Sequence, residues 1–341
     1  MRARGHKLLL AAPSDTQIYK RCRDDGFEVF DFSDRALLYP WSILRLACFL
    51  RNKRVDIVNT HSSRDGWIAG LAARLIGAPL LIRSRHIDVD YKGRMSSRIA
   101  FKWLPHRVIT TSERIREGLI NTLGLDPQRV QSIPTGIDTA RFAPGSDDAR
   151  QEARASFGLN SNPTRKLVGV VAVLRSWKGH AYFLKAAKRL AQKREDIDFV
   201  LAGDGPKRNE IERQIAELGL KDRVRLLGHV ERVEEIFTAL DIAVLPSIAH
   251  EGIPQSLLQA MAMQKPVIGT DAGGIAEIIE HERTGLLVPP KNAEALASSI
   301  ERLIENPSLA DRIARAGHQQ IIEKHSMDIM CEKLEKLYAR A

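Results

Sequence analysis

Short apolar runs alternate with longer stretches of helical spacing along almost the whole chain. Repeated strand and helix units of this kind imply a parallel sheet covered by helices. In the first half the predicted strands are Lys7 to Ala12, Glu28 to Phe32, Asp56 to Thr60, Leu80 to Arg83, Val108 to Thr111 and Val130 to Ile133. In the second half they are Leu167 to Val173, Asp198 to Ala202, Arg225 to Leu227, Ile242 to Leu245, Pro266 to Gly269 and Gly285 to Val288. Apolar spacing of three and four then predicts a helical tail over Ala293 to Glu305, Leu309 to Glu323 and Met327 to Tyr338. Between the two series, Asp138 to Arg165 carries Pro144, Gly145, a charged stretch and Asn160-Ser161-Asn162-Pro163, turn formers without a sheet pattern. A linker is expected there. The predicted chain is therefore α/β, with doubly wound parallel-sheet domains at 1–145 and 146–324 and a last helix, 325–341, crossing back to the first domain.

A length of 341 residues suits two domains of roughly 150. No apolar run approaches the roughly 20 residues that span a bilayer; Ser42 to Leu50 is short and broken by Arg45. The start is basic, but Leu8 to Pro13 is too short for a secretory signal, so a cytoplasmic location is expected. Cys22, Cys48 and Cys331 lie far apart without CxxC spacing, which fits a reducing compartment. The net charge of +10 and pI near 9.6 point to an anionic partner. Basic clusters at Arg51 to Arg54, Arg83 to Arg85 and Lys92 to Arg98 have few interleaved aromatics, which argues against nucleic acid and leaves a phosphorylated substrate or an anionic membrane. There is no His-Glu-x-x-His, no cysteine cluster and no Asp-x-Asp except Asp88-Val-Asp90, so neither metal nor cofactor is expected.

The richest stretch is Leu245-Pro-Ser-Ile-Ala-His-Glu251-Gly-Ile-Pro-Gln-Ser-Leu-Leu-Gln259. A strand ends, a loop follows, and a helix starts near Pro254, where unpaired amides favour an anion. Glu251 before the helix and Gln259 inside it reach one ligand only if it lies across the helix start. A sugar nucleotide, with hydroxyls at both ends and a diphosphate between, has that shape. The plainer reading makes Glu251 a cap and Gln259 a surface residue. Lys178, after a strand and before Gly179, supplies a cation for a departing phosphate. Gly273-Gly274 lets bare backbone approach a ligand or makes a tight turn, and Gly203-Asp204-Gly205 alone carries little. In the first half, strand ends deliver His61 and the run Arg83-Ser-Arg85-His86-Ile-Asp88.

The chain resembles the family-4 retaining glycosyltransferases of the GT-B fold. The resemblance rests on Glu251-Gly-Ile-Pro254, Ala202-Gly-Asp-Gly-Pro206, Leu227-Gly-His229, Leu245-Pro-Ser247, Pro266-Val-Ile-Gly-Thr-Asp-Ala-Gly-Gly-Ile275 with Glu277, Thr284-Gly-Leu-Leu-Val-Pro289 and Ile133-Pro-Thr-Gly-Ile-Asp138. It implies that Glu251 bonds donor-sugar hydroxyls and that amides around Gly252, Ile253 and Pro254 hold the diphosphate. The family's second Glu binds ribose; Gln259 stands there and keeps a hydrogen-bonding group without the charge. The family's Arg, five residues before Lys178, is Val173 here, and Arg175 is the candidate replacement. His86 matches the family's histidine near donor sugar and acceptor better than His61 does. His61, Arg83, Arg85 and Asp88 then fall on the acceptor side, with solvated loop charges as the plainer reading.

The implied activity is transfer of a sugar from a nucleoside diphosphate to a hydroxyl of a glycan or lipid-linked acceptor with retained configuration and without metal. Cell-surface polysaccharide or lipopolysaccharide synthesis, with peripheral contact at an anionic membrane, is the implied setting. A sugar-nucleotide epimerase and a non-catalytic sugar-nucleotide-binding protein are the alternatives. Relatives open with a strand, a Gly-Gly loop and a helix ending in a phrase like Arg-Ala-Arg-Gly-His, and this chain begins inside that phrase at Met1 to His6. The expectation is an absent first βα unit, through an upstream start or a shortened form, leaving the neighbours of a central strand with unpaired backbone.

Overall fold

The computed structural model describes residues 1–33, 35–87, 94–160, 162 and 164–339. The chain divides into two compact units, Met1–Ile133 with Cys331–Ala341, and Pro134–Met330.

The first unit holds strands β1 (Leu9–Ala12), β2 (Glu28–Asp31), β3 (Ile57–Thr60), β4 (Leu80–Arg85), β5 (Arg107–Thr110) and β6 (Val130–Ser132). Its helices are α1 (Gln17–Asp24), α2 (Tyr39–Asn52), α3 (Ser63–Leu75), α4 (Met95–Arg98) and α5 (Glu113–Leu123). All strand pairs are parallel, in two separate sheets, β1-β2 and β3-β4-β5-β6. Among the described residues β1 pairs only with β2, and β3 only with β4. One apolar cluster nevertheless serves both sheets: Val58 and Leu81 pack with Phe32, Leu46, Leu50, Ile68 and Ala72, and Ala11 and Phe30 close onto it. Helix α3 begins sharply after β3 because Ser62 and Asp65 form a reciprocal capping box.

The second unit holds β7 (Lys166–Val171), β8 (Ile197–Ala202), β9 (Val224–Gly228), β10 (Ile242–Leu245), β11 (Val267–Thr270) and β12 (Leu286–Val288), in one parallel six-stranded sheet ordered β12-β11-β10-β7-β8-β9. Its helices are α6 (Asp147–Ser156), α7 (His180–Ala191), α8 (Arg208–Glu217), α9 (Val233–Ala239), α10 (Gln255–Ala262), α11 (Ala293–Glu305), α12 (Pro307–Lys324) and α13 (Met327–Tyr338), the last running on into residues of the first unit. Alternation along β8 shows that both sheet faces are buried: Phe199 and Leu201 join the cluster of Phe183, Leu184 and Ile300, while Val200 and Ala202 join that of Leu240, Leu257 and Met261.

The stretch Asp138 to Arg165, read from sequence as a linker, contains α6 and belongs to the second unit. Ser146 caps α6, with Asp147 and Asp148 in its first turn. The helix is held by a charged residue: buried Arg154 donates to the Ala239 carbonyl at 3.0 Å and to Asp241 Oδ2 at 2.5 Å. Such a helix is mostly polar, with few apolar residues to mark its buried side, which is why the pattern passed over it.

Candidate functional site

In the second unit's sheet, successive connections run outward in opposite directions from the neighbours β7 and β10. Ligands of open α/β sheets bind beyond the strands' carboxyl ends at such a reversal. The loops there carry Lys178, after β7, and Glu251, after β10.

Backbone contacts lock these loops together. A 3-10 turn, Ser176–Lys178, follows β7, and Gly179 continues it at φ 71°. A Cβ on Gly179 would lie 1.8 Å from the Pro246 carbonyl oxygen, so only glycine allows the approach. The Ile248 amide donates to the Trp177 carbonyl at 2.7 Å. On the other side, the Thr270 hydroxyl donates to the Ser247 carbonyl, and the Gly274 amide to the Glu251 carbonyl at 3.0 Å. Gly273, at φ 60°, presses on that same carbonyl, where a Cβ would come within 2.2 Å. The Gly-Gly turn thus shapes Glu251's backbone, and the Gly274 amide is already committed.

Inside this frame Lys178 Nζ lies 2.7 Å from Glu251 Oε1, and the Ser247 hydroxyl donates to the same oxygen at 2.6 Å. Glu251 is only 6% exposed. A carboxylate so deep requires such partners, because an unpaired buried charge is costly. Both contacts fall on Oε1, which leaves Oε2 to accept from ligand hydroxyls. Helix α10 starts just beyond, with no side-chain cap on its first turn, and its amides favour a negative group. Pro254 brings no amide, so Gly252, Ile253 and the first helical residues are the donors there. Gln259 sits partly exposed on α10.

Val173 is exposed, and the Arg175 guanidinium lies 5.0 Å over the Trp177 ring, held as a cation on an aromatic face. Trp177 meets His250 edge-on at 6.1 Å, and His250 itself has a left-handed φ of 61°. Asp204's carbonyl accepts from the Leu174 amide at 3.0 Å, so the Gly203-Asp204-Gly205 turn braces the loop after β7.

Sequence reasoning passed over His180, the first residue of α7. It is 4% exposed, and its Nε2 has no hydrogen-bond partner among the described residues. Burial, assisted by the charge of Lys178, lowers its pKa to about 4. An unfolded chain takes up this proton near 6.5 and the folded one only near 4, so this contribution to stability is full above 6.5 and is lost as pH falls towards 4. The shift corresponds to about 3 kcal/mol. Denaturant midpoints of the wild type and His180→Asn are therefore expected to differ most near pH 7 and to converge towards pH 4.5. A gap independent of pH would remove His180 from this role.

In the first unit, His61 Nδ1 and His86 Nε2 are 3.0 Å apart, with rings 12° from parallel. Such a bond needs one nitrogen to accept, so at least one ring is neutral. Surrounding protein desolvates the nitrogens although both rings keep a solvent-facing side; with the charges of Arg85 and Arg83 added, this lowers His86 to about 4. His61 is lowered too, chiefly by the same desolvation and against the pull of Asp65. Asp65 Oδ2 accepts from the His61 amide at 2.8 Å.

Arg83 is not a loop cation. It lies within β4, 4% exposed, with Nη1 3.3 Å from Thr60 Oγ1 and 3.5 Å from Asp65 Oδ1, stacked on Phe101 in space that Gly66 leaves open. Arg85 turns back to donate to the Ile87 carbonyl at 3.1 Å. Asp88 and Asp90 lie outside the described residues. Among those described, no three His, Cys, Asp or Glu residues gather as a metal-ligand set. Of the residues sequence reasoning missed, Ser247 and His250 stand in the rich stretch after Leu245 and Asp65 within a capping box, whereas nothing in the sequence marked Trp177.

Residues 151–320 match the family model for glycosyl transferases group 1, and residues 1–141 the model for glycosyltransferase family 4. Alpha-D-kanosaminyltransferase of Streptomyces kanamyceticus is 29% identical over 89% of this chain and 83% of its own. The UDP-Gal:alpha-D-GlcNAc-diphosphoundecaprenol alpha-1,3-galactosyltransferase of Escherichia coli is 28% identical over 93% of this chain and 87% of its own. A solved structure of Anabaena Alr3699/HepE in complex with UDP superposes with a TM-score of 0.87 at 20% identity, over 98% of this chain and 92% of that one, a likeness of fold. Matched over both halves and built from two Rossmann-like α/β domains, the chain belongs to the group 1, family 4 glycosyltransferases with the GT-B fold.

Proposed function

We propose that this glycosyltransferase moves a sugar from a nucleoside diphosphate to a hydroxyl of a glycan or lipid-linked acceptor, keeping the anomeric configuration and using no metal. The observation that carries the reading is the Lys178–Glu251 pair, set at the sheet's reversal point beside the uncapped start of α10. Glu251 Oε2 accepts from donor-sugar hydroxyls, and the amides of Gly252 and Ile253 with the first turn of α10 face the diphosphate. Lys178 takes up charge as the diphosphate leaves. Arg175 adds a second cation near the mouth, Gln259 bonds the ribose, and Gly273 and Gly274 act by fixing Glu251. The bond from the anomeric carbon to the phosphate oxygen breaks, the acceptor oxygen attacks the same face, and a phosphate oxygen receives its proton. In the first unit His86, neutral and bonded to His61, serves the acceptor together with Arg85, while Arg83 holds Asp65 and the strand beneath.

The Anabaena structure contains UDP, and the name of the Escherichia coli relative specifies a UDP-sugar and an undecaprenol-linked acceptor. Both favour a uridine donor, and the second favours a lipid-linked acceptor in cell-envelope glycan synthesis. The setting is the cytoplasmic side of the membrane by peripheral contact; no helix among the described residues is long and apolar enough to cross it. Incubation of the purified protein with a panel of labelled nucleotide sugars, with and without membrane extract, tests this. The expected outcome is transfer of one sugar only when extract is present, with an α-linked product from an α-linked donor. Donor isomerised without acceptor, or donor bound and never consumed, would overturn it.

A further inference from the structure

Helix α2 buries one face in the first unit's core through Ser42, Leu46, Ala47 and Leu50. Its opposite face is apolar where a water-facing helix carries charge. Leu37, in the turn leading into α2, is 96% exposed, Trp41 63% and Leu44 55%. Steps of four and three place these on one stripe. The stripe continues through exposed Arg45, Cys48 and Arg51 towards Arg54. No acidic residue occurs from Tyr39 to Asn52, and the whole chain carries a net charge of +10. The element is thus apolar at its start and cationic at its end, and no helix among the described residues is long and apolar enough to cross a membrane.

We infer that the outer face of α2 docks the protein on an anionic lipid surface, with Leu37, Trp41 and Leu44 entering the headgroup boundary and Arg45, Arg51 and Arg54 meeting lipid phosphates. This rests on the proposed membrane location and names the element that provides it. The charge pattern selects the occupant: a lipid surface offers a boundary that indole rings favour and phosphates that match the guanidinium groups. A second copy of the chain would instead set these like charges against each other.

Co-sedimentation of the full chain with phosphatidylglycerol or phosphatidylcholine vesicles tests the inference. Wild type is expected to pellet with the anionic vesicles only. The double substitution Trp41→Ser/Leu44→Ser, at exposed positions, should lower the bound fraction at least tenfold with an unchanged melting temperature. Trp41→Phe provides a second reading: brominated phosphatidylglycerol should quench wild-type fluorescence and leave that of the variant largely unquenched. Equal binding by wild type and the double variant, no wild-type binding, or a change confined to oligomer size would each overturn the inference. Vesicle binding that follows this pattern without any sugar transfer would count against the proposed reaction and support the docking face.

Discussion

Lys178→Ala and Glu251→Ala are each expected to lower turnover at least tenfold, about 1.4 kcal/mol of transition-state stabilisation. The two substitutions act at different stages. In the proposed reaction Lys178 meets charge that develops as the diphosphate departs, so its loss should fall mainly on kcat. In the same proposal Glu251 holds sugar hydroxyls throughout, so its loss should also raise KM. Because the side chains are 2.7 Å apart and largely buried, each deletion leaves the other charge uncompensated, and part of the loss belongs to the pair. Glu251→Gln separates these contributions, since it keeps the shape and a hydrogen-bonding group while removing the charge. Steady-state kinetics with melting curves on all three variants measures this, and wild-type turnover in a folded alanine variant would exclude that residue from the chemistry.

A larger structural effect is expected from a single methyl group. Gly179→Ala places a Cβ 1.8 Å from the Pro246 carbonyl at a left-handed φ of 71°, so the loop after β7 must move away from the loop after β10. The unfavourable backbone alone costs roughly 1–2 kcal/mol. The steric conflict adds to it, and the sum is read as a lower melting temperature. Lys178 is adjacent and moves with the turn; a displacement of about 1 Å can cost on the order of a hundredfold in rate. Gly118→Ala is the control, in α5 with nothing within 4 Å of the added methyl. Equal behaviour of the two variants would show that the contact between loops does not position Lys178.

All of the predicted strands overlap observed ones, because buried parallel strands are continuous apolar runs bounded by turn formers. Ile242 to Leu245 and the tail helices at Ala293 and Met327 agree to the residue. What escaped was held by polar contacts with distant partners. Helix α6 is anchored by Arg154 on Asp241, 87 residues away, and local periodicity carries no trace of such a pairing. Arg83 looked like a loop charge because its cover, Gly66 and Phe101, comes from other elements. At the site, Lys178 and Glu251 were legible from their places at strand ends. Their direct contact and the Ser247 hydroxyl were not, since both depend on how three loops close on one another. The His61–His86 bond likewise needs β3 and β4 side by side in register.

The loops from Leu174 to Gly179, Ser247 to Gln255 and Gly273 to Glu277 all come from one unit and are tied mainly by main-chain bonds. Their shape is therefore set mainly by bonds within that unit. On the proposed reading, substitutions in the first 133 residues can alter which molecule receives the sugar while the loops that face the nucleotide keep their shape.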